Sequence, residues 1–176
     1  MDTLTSPLLD PAHRHETAPD PAATDAELTA LIDLAVARRV GTVAIGSGRT
    51  PSAVAAAAAL TRRWTATGGN VSATVTWPET AASWLRQARR FCHPEPDLWI
   101  MTGPPTGWAQ MTRRLLWSTN WDPARTLATV EIGTPGSLEL VGRGHLEGLT
   151  GATADGATWT VSGRQLWRRT LPVGER

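Results

Sequence analysis

The loop spanning residues 46–52 combines glycine, hydroxyl and arginine residues that could bind an anion. It reads Gly-Ser-Gly-Arg-Thr-Pro-Ser and joins a predicted strand to a predicted helix that Thr50 suits as N-cap. The free amides of the first helical turn, the hydroxyls of Ser47 and Ser52, and the guanidinium of Arg49 could hold a carboxylate or a phosphate. The loop lacks the lysine of a P-loop and the third glycine of the dinucleotide-binding motif, so a well-capped turn is an equally good interpretation.

A second loop, residues 103–108, follows the third predicted strand and reads Gly-Pro-Pro-Thr-Gly-Trp. Pro104 and Thr106 are candidate ligand contacts there. Trp108 could form an aromatic wall with Trp77, which ends the second predicted strand. The alternative is that both pack in the core, as we expect for Trp64, Trp84, Trp99, Trp117, Trp159 and Trp167.

The third candidate position is Glu131, the one acidic residue in the predicted strand 126–132. A carboxylate pointing into a crevice could hold an ammonium group or act as a base with an altered pKa. Thr134 follows in the next loop. If the strand lies at an edge of the sheet, Glu131 is simply solvated.

No set of residues predicts a particular reaction. The sequence contains no H-E-x-x-H or G-x-S-x-G motif and no clustered pair of acids. Cys92 is the only cysteine, and His13 and His15 have no further ligands at a metal-binding spacing. We therefore predict neither a metal site nor a cofactor.

Four β-rich segments alternate with helix-length segments and must position these loops. The predicted strands are residues 40–45, 71–77, 97–102 and 126–132, and the predicted helices between them are residues 51–67, 79–91 and 106–119. Such alternation predicts right-handed crossovers and a three-layer α/β fold, Rossmann-like, with a parallel sheet and helices on both faces. Ligands of such sheets bind at the carboxyl ends of the strands, where the three loops converge.

The two ends of the chain differ from its middle. We predict a flexible N-terminal arm over residues 1–23, a parallel α/β lobe over residues 24–145 and a closing segment over residues 146–176. A capping box, Thr24 with Glu27, begins the first helix. Residues 135–141 predict an additional short helix, and residues 158–161 and 165–169 predict a C-terminal β-hairpin.

Composition excludes several classes of function. The 176 residues carry 17 basic side chains, all arginine, and 16 acidic ones, for a net charge of +1. No overall field attracts nucleic acid, and no apolar run is long enough to span a membrane. The N-terminal residues do not form a secretory signal, so we expect a cytoplasmic protein.

Taken together, these segments resemble one lobe of the type 1 periplasmic-binding-protein family, the branched-chain amino-acid receptors of ABC transporters. The resemblance covers residues 24–171 and is one of layout. It is carried by the strand 40–45, by Thr-Gly-Gly-Asn-Val at 67–71, by Pro-Asp and an apolar run at 96–101, and by Leu-Glu-Gly-Leu-Thr-Gly at 146–151.

The resemblance implies a ligand cleft formed by the loops after the strands and closed by a second lobe. The positions it implicates are Arg49, Thr50, Pro104, Thr106, and Glu131 or Thr134. Aromatic ligand contacts in the family are often tyrosine, which this chain lacks, so Trp77 or Trp108 would have to substitute.

Two hypotheses follow. In the first, the chain binds a small amino-acid-like or carboxylate ligand, and a homodimer or another protein supplies the second wall. In the second, the chain is an enzyme, or the partner subunit of one, that acts on a small metabolite in the same crevice.

Overall fold

A computed structural model describes residues 20–169 of the chain. The predicted N-terminal arm lies outside the described residues except for its last four positions. His13 and His15 also lie outside them.

Five helices and seven strands make up the described chain. The helices are α1 Asp25–Ala37, α2 Pro51–Ala66, α3 Leu85–Cys92, α4 Pro105–Ser118 and α5 Pro135–Val141. The strands are β1 Thr42–Ser47, β2 Asn70–Thr76, β3 Leu98–Thr102, β4 Thr126–Ala128, β5 Thr150–Ala152, β6 Thr158–Ser162 and β7 Gln165–Arg169. Short 3₁₀ turns precede β4 and follow α5.

All seven strands form one sheet in the order β2-β1-β3-β4-β5-β6-β7. The first five strands run parallel, and β6 and β7 add an antiparallel hairpin at one edge. The predicted α/β class, the parallel lobe sheet and the hairpin are thus confirmed. β5 was not predicted as a strand, because three residues are too few to show a sequence pattern.

Alternating side chains along the strands fill two cores on opposite faces of the sheet. Val43 and Ile45 pack with α1 and α2, whereas Trp99 and Met101 pack with α3, α4 and α5. Each face is covered because successive residues of a strand point to opposite sides. The three-layer arrangement follows directly from this pattern.

At Gly46 of β1 the second core packs tightly against the sheet. A Cβ at Gly46 would lie 2.5 Å from Cζ3 of Trp77 and 2.9 Å from Cζ of Phe91. These two rings form an edge-to-face pair with centroids 6.3 Å apart. Glycine is required at position 46 because the aromatic pair occupies the space that a side chain would need.

Several boundaries differ from the prediction. β4 ends at Ala128, so Glu131 lies in the turn after the strand and not within it. Ile132 and Gly133 both donate to the carbonyl oxygen of Thr129, at 3.2 Å, which closes this turn. Helix α3 begins at Leu85, and residues 79–84 form a loop where a helix was expected.

The tryptophans differ widely in burial. Trp77, Trp99, Trp108 and Trp159 are the largest fully buried side chains of the described residues. Trp117 and Trp167 are 82% and 60% exposed, so the prediction that both are packing residues is wrong. None of the helices in the described part of the chain is long and apolar enough to cross a membrane.

Candidate functional site

A crevice of about 220 Å³ opens at the carboxyl ends of β3 and β4, between the first turns of α1 and α2. This is the edge at which parallel sheets place their ligands. We call it the acidic crevice. Its polar walls are provided by Thr24, Glu27, Ser52, Thr102, Thr129 and Glu131.

The carboxylate of Asp20 is bound at the start of α2, beside this crevice. The amide of Ser52 donates to Oδ2 of Asp20 at 3.0 Å, and the Ser52 hydroxyl donates to Oδ1. These hydrogen bonds lower the pKa of Asp20 below its ordinary value, and the bond from the hydroxyl contributes most. The start of α2 therefore accepts a carboxylate, as its sequence predicts, and in this structure that carboxylate belongs to the chain itself.

Glu27 forms a buried acidic wall of the crevice. It is 1% exposed, and its Oε1 accepts from the amide of Val130 at 2.6 Å. Thr24 caps α1 by accepting from the amide of Glu27 at 3.1 Å, which is one half of the predicted capping box. Burial raises the pKa of Glu27, while the amides of Val130 and Thr24 act against that rise.

Glu131 is the residue with the most strongly shifted pKa of the crevice. Burial, followed by the nearby charges of Asp20, Glu27 and Glu79, raises the pKa of Glu131 to about 7. Its backbone carbonyl accepts from the Ser137 hydroxyl at 2.7 Å, which ties the turn to the first turn of α5. The side chain can therefore gain or lose a proton near neutral pH.

Thr129 supplies a buried hydroxyl that lacks a partner. The residue is 2% exposed and lines the crevice, and its Oγ1 makes no hydrogen bond to any described residue. Buried polar groups are usually paired, and an unpaired buried group commonly marks a place for a bound molecule. We infer that this hydroxyl is available to a ligand.

Only two of the predicted site residues line the acidic crevice, Ser52 and Glu131. Thr50 and Thr134 serve as N-caps, accepting from the amides of Ala53 and Ser137 at 3.4 and 3.1 Å. Thr50 still lies close enough to Asp20 to help lower its pKa. The hydroxyls of these two threonines thus cap the N-terminal ends of α2 and α5.

The predicted aromatic wall is absent. Trp77 and Trp108 are both 0% exposed and pack in the core on the far face of the sheet from α1 and α2. The prediction fails because Gly46 leaves room for Trp77 to fold against the sheet. Neither indole presents a surface to the crevice.

The remaining predicted residues are scattered. Ser47 ends β1 with a buried hydroxyl that lacks a partner among the described residues. Pro104 packs against Gly48 at the start of α4, and Thr106 is exposed in the first turn of that helix.

Arg49 lines a different concavity from Glu131, which corrects the expectation that Arg49, Trp108 and Glu131 meet around one opening. This second concavity, of about 300 Å³, lies along β2 and α3. We call it the arginine concavity. Its polar lining is Arg49, Thr74, Thr76, Arg86, Gln87 and Arg90.

Sequence reasoning missed most of the crevice. Glu27 was assigned only to a capping box, and Asp20 to a flexible arm. Thr129 was placed within a strand. A signal was present for Glu27, since an acid within the apolar stripe of an amphipathic helix must be buried with a partner.

No protein-family model matches the sequence, and no curated protein matches it significantly. Solved structures do match the fold. An extracellular ligand-binding receptor from Rhodopseudomonas palustris HaA2 is similar over 73% of this chain, with a TM-score of 0.65 and 16% identity. A substrate-binding periplasmic protein from Ralstonia solanacearum is similar over 74%, with a TM-score of 0.62 and 13% identity.

A leucine binding protein from Thermotoga maritima MSB8 is similar over 70% of this chain, with a TM-score of 0.57 and 18% identity. The matches cover 35%, 37% and 36% of these three structures. The chain has the fold of a single lobe of these binding proteins. This confirms the resemblance in layout, and the chain spans about a third of the length of the structures it matches.

Proposed function

We propose that this protein binds a small amino-acid-like compound in the acidic crevice. One observation carries the proposal. A carboxylate, that of Asp20, is bound at the start of α2 close enough to Glu131 to raise its pKa. A zwitterion needs such a pair of neighbouring sites, one for an anion and one for a cation.

Each end of the proposed ligand has its own contacts in the crevice. The ligand carboxylate takes the place of Asp20 on the amide and hydroxyl of Ser52. The ammonium group lies against ionised Glu131, and the hydroxyl of Thr129 binds a further polar atom. A volume of about 220 Å³ suits a ligand with a short side chain. That a leucine binding protein shares the fold supports the same ligand class.

Calorimetric titration with a panel of free amino acids tests the proposal, together with the matching amines and the matching acids that lack the amino group. At about pH 8, where Glu131 is mostly ionised, we expect amino acids to bind more tightly than either truncated series. Glu131→Gln should weaken binding by about tenfold, the effect of losing a charged hydrogen bond.

Glu139→Gln is the matched control, since Glu139 lies in α5 and pairs with Arg143 away from the crevice. This variant removes the same charge and should bind like the unmodified protein. The proposal fails if no amino acid binds, or if both variants bind equally well.

The proposal includes a second wall. The resemblance implies a cleft between two lobes, and the chain covers 36% of the leucine binding protein it matches. A second copy of the chain or another protein is proposed to close the crevice, in a cytoplasmic setting. Native mass spectrometry with and without the ligand tests for a dimer, and cell fractionation tests the location.

A second candidate function is favoured by the pKa of Glu131. A general base works best with a pKa near the working pH, and that of Glu131 is about 7. In this alternative, Glu131 removes a proton from a small metabolite. Turnover that Glu131→Gln abolishes and Glu139→Gln preserves would support the enzyme, whereas reversible binding without conversion supports the first proposal.

A further inference from the structure

Three arginines from two separate parts of the chain converge on the arginine concavity. Arg86 and Arg90 are one helical turn apart on α3, so both point to the same side of that helix. Arg49 reaches the same space from the loop after β1, and the exposed Thr74 and Thr76 of β2 form the floor. The sequence separates Arg49 from Arg86, and only the fold brings them together.

Among residues 20–169, no acidic residue forms an ion pair with these three arginines. The residues that line the concavity include no aspartate or glutamate. Within residues 20–169, the recorded ion pairs of arginine are Arg63 with Asp25 and Arg143 with Glu139, and neither involves the three arginines of the concavity. Three like charges around one opening repel one another, and a bound anion relieves that repulsion.

We propose that the arginine concavity binds the phosphoryl group of a small phosphorylated metabolite. A phosphoryl group carries close to two negative charges and three acceptor oxygens, which matches three guanidinium groups better than a single carboxylate does. The hydroxyls of Thr74 and Thr76 and the side chain of Gln87 add polar contacts. A space of about 300 Å³ fits one small molecule.

This site is separate from the acidic crevice. The two share no lining residue. An anion held by α3 and β2 therefore binds independently of a ligand between α1 and α2. Whether the acidic crevice binds amino acids does not affect the test below.

The test is calorimetric titration of the full chain with inorganic phosphate and with pyrophosphate, at an ionic strength held constant with sodium chloride. We expect saturable binding at one site, with pyrophosphate tighter because it carries more charge. The double variant Arg86→Gln with Arg90→Gln should weaken both by at least tenfold, as expected when charged hydrogen bonds are lost.

The matched control is Arg62→Gln with Arg89→Gln. Both residues are exposed, neither lines the concavity, and the change in net charge is the same. This control should bind pyrophosphate within about twofold of the unmodified protein. Arg62 is far from the concavity along the chain, and Arg89 lies on α3 but does not line the concavity, so solvent and salt screen its charge. Unfolding curves by circular dichroism establish that both double variants fold, which is expected because all four side chains are exposed.

Three results would overturn the proposal. One is the absence of saturable binding of either anion to the unmodified protein. The second is an equal loss of affinity in the two double variants, which would indicate a general charge effect. The third is a single-stranded oligonucleotide that binds far more tightly than pyrophosphate and depends on Arg86 and Arg90, which would make nucleic acid the ligand.

Discussion

The acidic crevice and the arginine concavity both lie where strands of the sheet end, yet their charges are opposite. Glu27 and Glu131 line the first, and Arg49, Arg86 and Arg90 line the second. The connection from β1 into α2 contributes to both, because Ser52 in the first turn of α2 lines the crevice while Arg49 in the preceding loop lines the concavity. Residues three positions apart thus serve different surfaces, and neighbouring positions in sequence are weak evidence for a shared site.

Gly46→Ala should cause the largest loss of stability. It should weaken binding in the arginine concavity more than binding in the acidic crevice. The new Cβ would lie 2.5 Å from Trp77, which must shift together with Phe91. Overpacking of this kind costs about 2 kcal/mol of unfolding free energy. Because Trp77 directly follows β2 and Phe91 lies in α3, pyrophosphate binding should weaken more than amino-acid binding.

Chemical denaturation and the two titrations measure this effect. Gly136→Ala is the control, since a Cβ there meets nothing within 4 Å and the residue lies in a helix, where alanine is preferred. Equal stability of the two variants would contradict the role given to Gly46.

Asp20→Ala should distinguish the two sites, because it should strengthen ligand binding in the acidic crevice and leave binding in the arginine concavity unchanged. With the Asp20 carboxylate removed, Ser52 is free for a ligand, and amino-acid affinity should rise by about threefold to tenfold. Pyrophosphate affinity should stay the same. Asp33→Ala, at an exposed position of α1, is the control in calorimetry. A weaker amino-acid affinity would indicate that Asp20 assists binding.

Glu131→Gln should change how stability depends on pH. The pKa of Glu131 is raised from 4.5 to about 7, so between these values the folded protein retains a proton that the unfolded chain has lost. Stability from this residue is therefore fully present below pH 4.5 and declines as the pH rises to about 7. Since the side chain is only half-buried, we expect solvent screening to limit the change to about 1 kcal/mol.

Denaturant titrations at several pH values, on the unmodified protein and on Glu131→Gln, would show this decline in their difference. Amino-acid affinity of the unmodified protein should move the opposite way and increase as Glu131 ionises. Parallel stability profiles for the two proteins would show that the pKa of Glu131 is not raised.

Thr129→Val should have the smallest effect on stability. The Thr129 hydroxyl is buried without a partner among the described residues, so its loss leaves stability unchanged or increases it by up to about 1 kcal/mol. Amino-acid binding should nevertheless weaken, and pyrophosphate binding should not. A large loss of stability would mean that the hydroxyl is paired in solution.

The fold was predictable from sequence because it depends on repeated local patterns. The alternation of β-branched runs with helical segments predicted the parallel sheet, and Thr24 and Thr50 marked true helix starts. The end of β4 was not predictable in this way. Val130 and Ile132 favour a strand, but the amides of Ile132 and Gly133 turn back to Thr129.

The site was harder to predict because it depends on contacts between distant residues. Glu27 meets Val130 across 103 positions of sequence, and Asp20 meets Ser52 across 32. Trp77 directly follows β2 at the binding edge, and nothing in the neighbouring sequence shows that Gly46 leaves room for it in the core. The polar residues of the sequence predicted correctly at which edge of the sheet the crevice lies. They did not show which polar side chains contact one another there.

The burial of the large tryptophans determines how this protein can be assayed. Four indoles, those of Trp77, Trp99, Trp108 and Trp159, are sealed in the interior, and no tryptophan lines either concavity. Intrinsic fluorescence will therefore change strongly when the chain unfolds and little when a small molecule binds. A flat emission signal during a ligand screen carries no information about binding, and detection by heat or by mass is the appropriate choice.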